Sequence, residues 1–119
     1  MTKDVNKSMN GAEKLLAELS KFASPNRKNL FKEAVFRDYR VRKFVEKYVR
    51  SDISQTDILA YLGATAGPAI VALAKGYRIT DIAKAMNLRP SEIRKKLVDA
   101  CYYASVFRFE KVENKVETK

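Results

Sequence analysis

The sequence predicts a mainly α-helical fold, and three observations predict it. Apolar residues recur three and four positions apart through most of the chain, which is the spacing of one face of a helix. Residues that begin and end helices, such as Ser54 and Gly76, lie at the borders of these runs. Only residues 105–112, near the C-terminus, alternate between apolar and polar as a β-strand does.

Composition excludes several classes of protein. The 119 residues are 46% hydrophobic, which is enough for one compact core. There is no histidine and only one cysteine, Cys101, so His-dependent nucleophilic catalysis, His-ligated metal sites, thiolate zinc sites and intrachain disulfides are excluded. We therefore expect no enzyme, no metal and no cofactor. We find neither a membrane-spanning stretch nor a secretory signal, and expect a cytoplasmic protein.

The positive charge is concentrated in two blocks. The formal net charge is +10, of which residues 26–50 contribute +6 and residues 75–97 contribute +5. Residues 51–74, between them, carry no basic residue and have a net charge of −2. Two basic blocks around an apolar centre indicate a core flanked by surfaces that face one polyanion, and nucleic acid is the first candidate.

The N-terminal half predicts two amphipathic helices. The first ten residues have no periodicity, and we expect them to be disordered. A short helix is predicted over residues 12–23, ended by Ser24 and Pro25. A long basic helix is predicted over residues 29–49. Its cations Arg37, Arg40 and Lys43 are interpreted as phosphate ligands, with a merely solvated helix face as the alternative.

The centre of the chain predicts buried helices. Ser54 and Asp57 have the spacing of a capping box, and Gly63 is placed to end the helix that they begin. A second helix is predicted to restart at Gly67-Pro68 and to end at Lys75-Gly76. Because this second helix is almost wholly apolar, we expect it to form the buried centre of the fold.

Residues 77–103 have the spacing of a helix-turn-helix. Apolar residues mark one face of a short helix over residues 79–86, a tight turn follows at residues 87–89, and Pro90 opens the next helix. Leu88 is expected to fill the corner between the two helices. A turn of three or four residues between two short helices is the arrangement that places a recognition helix, here about residues 90–103, in the major groove of DNA.

Eleven residues are predicted to contact DNA. Ser91, Arg94 and Lys95 lie opposite the apolar stripe of the second helix and are assigned to base edges. Backbone phosphates or flanking positions are assigned to Arg89, Arg78, Lys75, Lys96, Arg37, Arg40, Lys43 and Arg108. The alternative for the Arg94-Lys95-Lys96 run is an ordinary solvated helix face.

The C-terminal segment completes the predicted fold. Residues 105–112 are predicted to form a strand, residues 113–115 a wing tip and residues 116–117 a short return. The predicted architecture is thus a mainly α winged helix-turn-helix with additional N-terminal helices and a short C-terminal β-wing. Residues 1–25 would be a tail with a short helix, and residues 26–119 the winged-helix domain.

The segment ITDIAKAMNLRPSEIRKKL, residues 79–97, together with the strand predicted after it, resembles winged-helix transcription proteins of archaea and bacteria. It is similar to the winged helix of archaeal transcription factor E, a relative of the TFIIE alpha subunit, and to MarR-like and PadR-like repressors. The resemblance implies binding of double-stranded DNA or a place in a transcription complex.

These patterns predict a nucleoid-associated DNA-binding protein that acts in transcription. One alternative is a protein-interaction module that docks on RNA polymerase or another acidic partner. Another is a protein that binds RNA or single strands through Phe36, Tyr39 and Arg40. A homodimer formed through residues 15–22 or 31–48 is a further hypothesis.

Overall fold

The structure, a computed structural model, describes the backbone of residues 11–109 and the side chains of residues 11–106. The helices in this part of the chain are α1 (Gly11–Leu19), α2 (Tyr39–Val49), α3 (Gln55–Lys75), α4 (Ile79–Ala85) and α5 (Pro90–Tyr103). Two 3-10 turns, Arg27–Asn29 and Ala34–Arg37, precede α2, and a π-helical segment, Ala104–Phe109, continues α5. The prediction of a mainly α-helical fold is confirmed.

Helix α3 lies at the centre of the molecule. Every residue from Ala66 to Ala74 is buried, and α1, α2 and α5 all pack against this helix. Because no side of its second half faces water, apolar residues are required all round it. Among the described helices α3 alone is long and apolar enough to cross a membrane, but 61% of its most apolar window is buried inside the protein, as in an ordinary core helix.

Two glycines shape α3. Ser54 begins the helix, as predicted, by accepting a hydrogen bond from the Asp57 N–H at 3.1 Å. Gly63 interrupts it with φ 88° and ψ −174°, a region that only glycine adopts cheaply. The helix resumes directly after Gly63, so the predicted restart at Gly67-Pro68 is wrong, and Pro68 lies inside the second half. Gly76, with φ 101°, ends the helix as predicted.

Helix α1 belongs to the same core. Ala12, Leu15 and Leu19 are buried in one cluster with the side chains of α3 and α4. The helix ends four residues before the predicted residue 23, although the Ala23 N–H still donates to the Leu19 carbonyl at 2.8 Å. Residues 11–25 therefore contribute directly to the hydrophobic core.

The long basic helix predicted over residues 29–49 is wrong in its first half. Helix α2 begins only at Tyr39, where the Asp38 carboxylate accepts hydrogen bonds from the N–H groups of Arg40 and Val41 at 3.0 and 3.1 Å. The preceding residues are held by more distant partners. Asn29 Nδ2 donates to the Gly76 carbonyl at 3.0 Å, and Glu33 Oε2 accepts from the Ile79 N–H at 2.9 Å. These side-chain contacts hold residues 29–33 against α3 and α4 in a non-helical path.

The predicted C-terminal β-wing is also wrong as far as the structure describes it. Residues 104–109 continue α5 as a π-helical segment, so residues 105–109 are not a strand. Ala104 is 1% exposed and extends the buried stripe of Ile93, Leu97 and Cys101, so packing on α3 holds the helical path. The sequence also has no glycine or proline after Pro90 to end the helix. The wing tip and return, residues 113–117, lie outside the described residues.

Gly76 is expected to tolerate no side chain. A Cβ there would approach the Asn26 backbone carbon to 2.6 Å, whereas a Cβ at Gly63 would meet nothing within 4 Å. Both glycines have positive φ, so Gly63→Ala reports the cost of backbone strain in the absence of a clash, although its ψ of −174° differs from the 16° of Gly76. We expect Gly63→Ala to lower the free energy of unfolding by about 1–3 kcal/mol. Gly76→Ala should lower the free energy of unfolding by about 1–3 kcal/mol more than Gly63→Ala does, because its Cβ clashes with the backbone of Asn26. Urea denaturation followed by circular dichroism measures both, and equal losses would contradict the role of the Asn26 contact.

Cys101 is expected to be chemically inert in the folded protein. Burial, and secondarily the negative charge of Asp38, raise the pKa of its thiol to about 12. Because the unfolded chain has the lower, ordinary thiol pKa, stability should fall as the pH rises from about 9 towards 12. Ellman's reagent at about pH 8 should label the thiol only after denaturation. Rapid labelling of the native protein, or an identical alkaline loss of stability in Cys101→Ala, would contradict this account.

Candidate nucleic-acid interface

A tight turn fixes the angle at which α5 leaves α4. Asn87, with φ 59°, follows α4, and its N–H donates to the Lys84 carbonyl at 3.2 Å. The Leu88 N–H donates to the Ala83 carbonyl at 2.9 Å, which completes the hydrogen-bond pattern of a Schellman motif. Leu88 is partly buried against the core, so it fills the corner as the sequence predicts. The predicted pair of helices and their connecting turn are confirmed as local structure.

The start of α5 is capped by its own residues. Pro90 occupies the first helical position, and Glu92 Oε1 accepts a hydrogen bond from the Arg89 N–H at 2.8 Å. The Glu92 carboxylate is thereby held at the end of the helix. An acidic group that would otherwise repel an anion is thus tied to the backbone.

The outer side of α5 carries what we call the cationic face, Ser91, Arg94 and Lys95. All three residues are exposed, and the underside of the helix is buried through Ile93 and Leu97. Within the part of the chain that the structure describes, neither Arg94 nor Lys95 forms an ion pair. Their charges therefore face solvent. Exposed Asp99 follows on the same helix, beyond the first two turns.

The remaining predicted contacts near the motif lie around this face. Arg89 and Arg78 are exposed at the starts of α5 and α4, and Lys75 is exposed at the end of α3. Lys96 is exposed too, but it borders a groove of about 400 Å³ between α5 and the Gly63 break. Lys96 is thus placed on the side of α5 that faces α3, away from the line of Ser91 and Lys95.

Helix α2 brings its cations to the C-terminal part of α5. The Arg40 guanidinium lies 5.0 Å from the centre of the Tyr102 ring, and Lys43 Nζ lies 5.7 Å from the centre of the Tyr39 ring. Arg37 is exposed in the 3-10 turn before α2. Arg108 lies in the π-helical segment and not on a wing, and its side chain is outside the description.

Three features of this region were not predicted. Glu33 supplies the cap of α4 from a distant segment, and a contact of that range leaves no periodic signal in the sequence. Tyr103 is exposed beside Tyr102, with ring centres 5.7 Å apart. Phe36, named as a base-stacking residue, is 5% exposed and thus unavailable. Its place beside Val35 in an apolar pair was a signal of burial.

The described residues provide no group of three or more acidic or cysteine side chains that could hold a metal ion. The arrangement places cationic and hydroxyl hydrogen-bond donors at the start of α5, and exposed aromatic rings at its C-terminal end. Comparison of the chain with protein families, with curated proteins and with solved structures gives no match.

Proposed function

We propose that this protein binds double-stranded DNA through α4 and α5, with α5 as the recognition helix in the major groove. Ser91, Arg94 and Lys95 would face base edges, and Arg89, Arg78 and Lys75 would hold backbone phosphates. Residues 79–97 resemble the helix-turn-helix part of winged-helix transcription proteins, although no wing strand follows over residues 105–109, and this part of the resemblance favours a role in transcription.

One observation carries the proposal: the cationic face is exposed and unpaired, on a helix whose other side is anchored in the core. Ile93 and Leu97 are buried against the rest of the molecule, which orients α5 rigidly. The first two turns of a recognition helix lie deepest in the groove, and they are the turns that hold Ser91, Arg94 and Lys95 here. Arginine and lysine are the commonest partners of guanine in that groove.

Electrostatics supports the same assignment. Residues 75–97 carry seven basic and two acidic residues, and one of the acidic pair, Glu92, is committed to the cap of α5. Each phosphate that a cation neutralises releases condensed counterions from DNA, which makes binding depend on salt. If Arg89, Arg78 and Lys75 each neutralise one phosphate, the slope of log affinity against log salt concentration should be about −3.

The test compares two double variants with the same change in charge. Arg94→Glu with Lys95→Glu inverts the cationic face, and Lys14→Glu with Lys21→Glu inverts two exposed residues at α1. We expect the first variant to lose about a hundredfold or more in duplex affinity at low salt. We expect the control to lose less than about tenfold, because only the long-range field changes. Fluorescence anisotropy with a labelled random-sequence duplex measures both.

The outcomes distinguish the alternatives. Equal losses in the two variants would mean that affinity follows total charge, and would overturn the assignment to α5. Unchanged duplex affinity in the first variant, with an intact circular dichroism spectrum, would favour docking on RNA polymerase or another acidic protein. A slope near −1 in the unaltered protein would remove the electrostatic part of the proposal.

A further inference from the structure

Three exposed tyrosines and two half-buried cations form a strip where the start of α2 meets the end of α5. We call it the tyrosine strip, and it consists of Tyr39, Arg40, Lys43, Tyr102 and Tyr103. The three tyrosines are 68%, 45% and 60% exposed, in that order. Of the described large apolar side chains only Phe22 is comparably exposed. A concentration of aromatic surface of this kind marks a binding site more often than chance.

The strip alternates rings and charges. Tyr103 packs edge to face on Tyr102, whose ring carries the Arg40 guanidinium 5.0 Å away. Lys43 lies one helical turn after Arg40 and contacts the Tyr39 ring at 5.7 Å. Arg40 thereby fixes the position of α2 relative to the end of α5. No described carboxylate forms an ion pair with Arg40 or Lys43.

The negative charge of nearby Asp38 offsets only part of the positive charge of the strip. Its carboxylate accepts hydrogen bonds from the N–H groups of Arg40 and Val41 and is half-buried as the cap of α2. The segment around it, residues 26–50, keeps a net charge of +6. The strip is therefore aromatic and cationic together, which suits a ligand that has both flat rings and negative charge.

We propose that the tyrosine strip binds unpaired nucleotides of a DNA or RNA strand, with bases stacked on Tyr39 and Tyr102 and phosphates held by Arg40 and Lys43. Aromatic rings interleaved with cations are the general means by which proteins hold single strands without reading sequence. A protein partner would meet the same rings, but an unneutralised positive charge favours a phosphate backbone.

The strip is separate from the cationic face, and its proposed ligand does not depend on duplex binding there. Ser91 and Tyr102 are eleven positions apart on α5, or about 16 Å along the helix axis, and Lys95, the nearest residue of the cationic face, is seven positions or about 10 Å from Tyr102. Bases inside a duplex are stacked on one another, so their faces are closed to side chains. The two ends of α5 thus suit different ligands, paired nucleic acid at its start and unpaired nucleic acid at its end.

The test uses the full chain with labelled oligo(dT) and oligo(rU) twenty-mers and, in a separate arm, a random-sequence duplex. Tyr39→Ala with Tyr102→Ala removes the stacking rings, and Tyr39→Phe with Tyr102→Phe keeps them as a matched control. Because the protein has six tyrosines and no tryptophan, quenching of the intrinsic fluorescence of the unaltered protein reports a ligand close to tyrosine, and the anisotropy of the labelled strands gives the affinity of every variant. Both tyrosines are exposed, and thermal melts confirm that each variant stays folded.

We expect the alanine variant to lose tenfold or more in single-strand affinity and to keep duplex affinity within threefold. The phenylalanine variant should retain single-strand affinity within threefold. The relative affinities for oligo(dT) and oligo(rU) identify whether DNA or RNA is the preferred source of unpaired bases.

Three outcomes would overturn the inference. The first is that neither single strand binds or quenches the unaltered protein at low salt. The second is that the alanine variant loses single-strand and duplex affinity equally, which would make the strip part of one electrostatic surface. The third is that the alanine variant binds single strands normally while light scattering shows loss of a dimer, which would assign the strip to a second copy of the chain. Because the duplex is a separate arm, failure here leaves the duplex proposal to be judged on its own result.

Discussion

The complete burial of the second half of α3 is the constraint on which the rest of the structure depends. Residues 66–74 have no solvent-facing side, so other elements must cover them from several directions. Helices α1, α2 and α5 each contribute an apolar stripe to that cover. The favourable free energy of removing apolar surface from water is roughly proportional to the area covered. These contacts therefore dominate the stability of the fold. The functional surfaces are what the covering helices leave on their outer sides.

Helix α5 illustrates this division. Its buried stripe, from Ile93 through Leu97 and Cys101 to Ala104, runs along its length and continues beyond its last regular turn. The residues on its outer side do not pack in the core, so packing does not restrict which side chains occupy them. Polar and cationic residues occupy its first two turns, and tyrosines occupy its end, beside Arg40 of α2. Helix α5 therefore carries two chemically distinct surfaces, the cationic face at its start and part of the tyrosine strip at its end.

The sequence was informative wherever a local signal had no competitor. The caps at Ser54 and Gly76 and the Asn87-Leu88 turn depend on N–H bonds between residues at most five positions apart, and each was predicted in place. The start of α2 was missed because the apolar spacing runs on through residues 29–38, whereas Asn29 and Glu33 bond to residues more than forty positions away. The periodicity of apolar residues carries no information about such distant contacts. Asp38, however, is a residue type that commonly caps helices, and it marked the true start of α2.

The site residues divide in the same way. Exposure of Ser91, Arg94 and Lys95 follows from helical geometry and could be predicted from spacing alone. The contact of Arg40 with Tyr102 could not, because it depends on how α2 packs across α5. The strand expected over residues 105–112 failed for a related reason. A short alternation of apolar and polar residues is weaker than the continued burial of Ala104 on a helical path.

The polar contacts of residues 26–33 also bear on the order in which the molecule assembles. The corner between α4 and α5 closes through bonds that span a few residues, which form rapidly in an otherwise unfolded chain. The bonds from Asn29 to Gly76 and from Ile79 to Glu33 span 47 and 46 residues, so they require closure of a long loop. Contacts of such range slow folding in general. We therefore expect the α4–α5 pair to form early in folding, and residues 29–33 to bond to Gly76 and Ile79 in a later step.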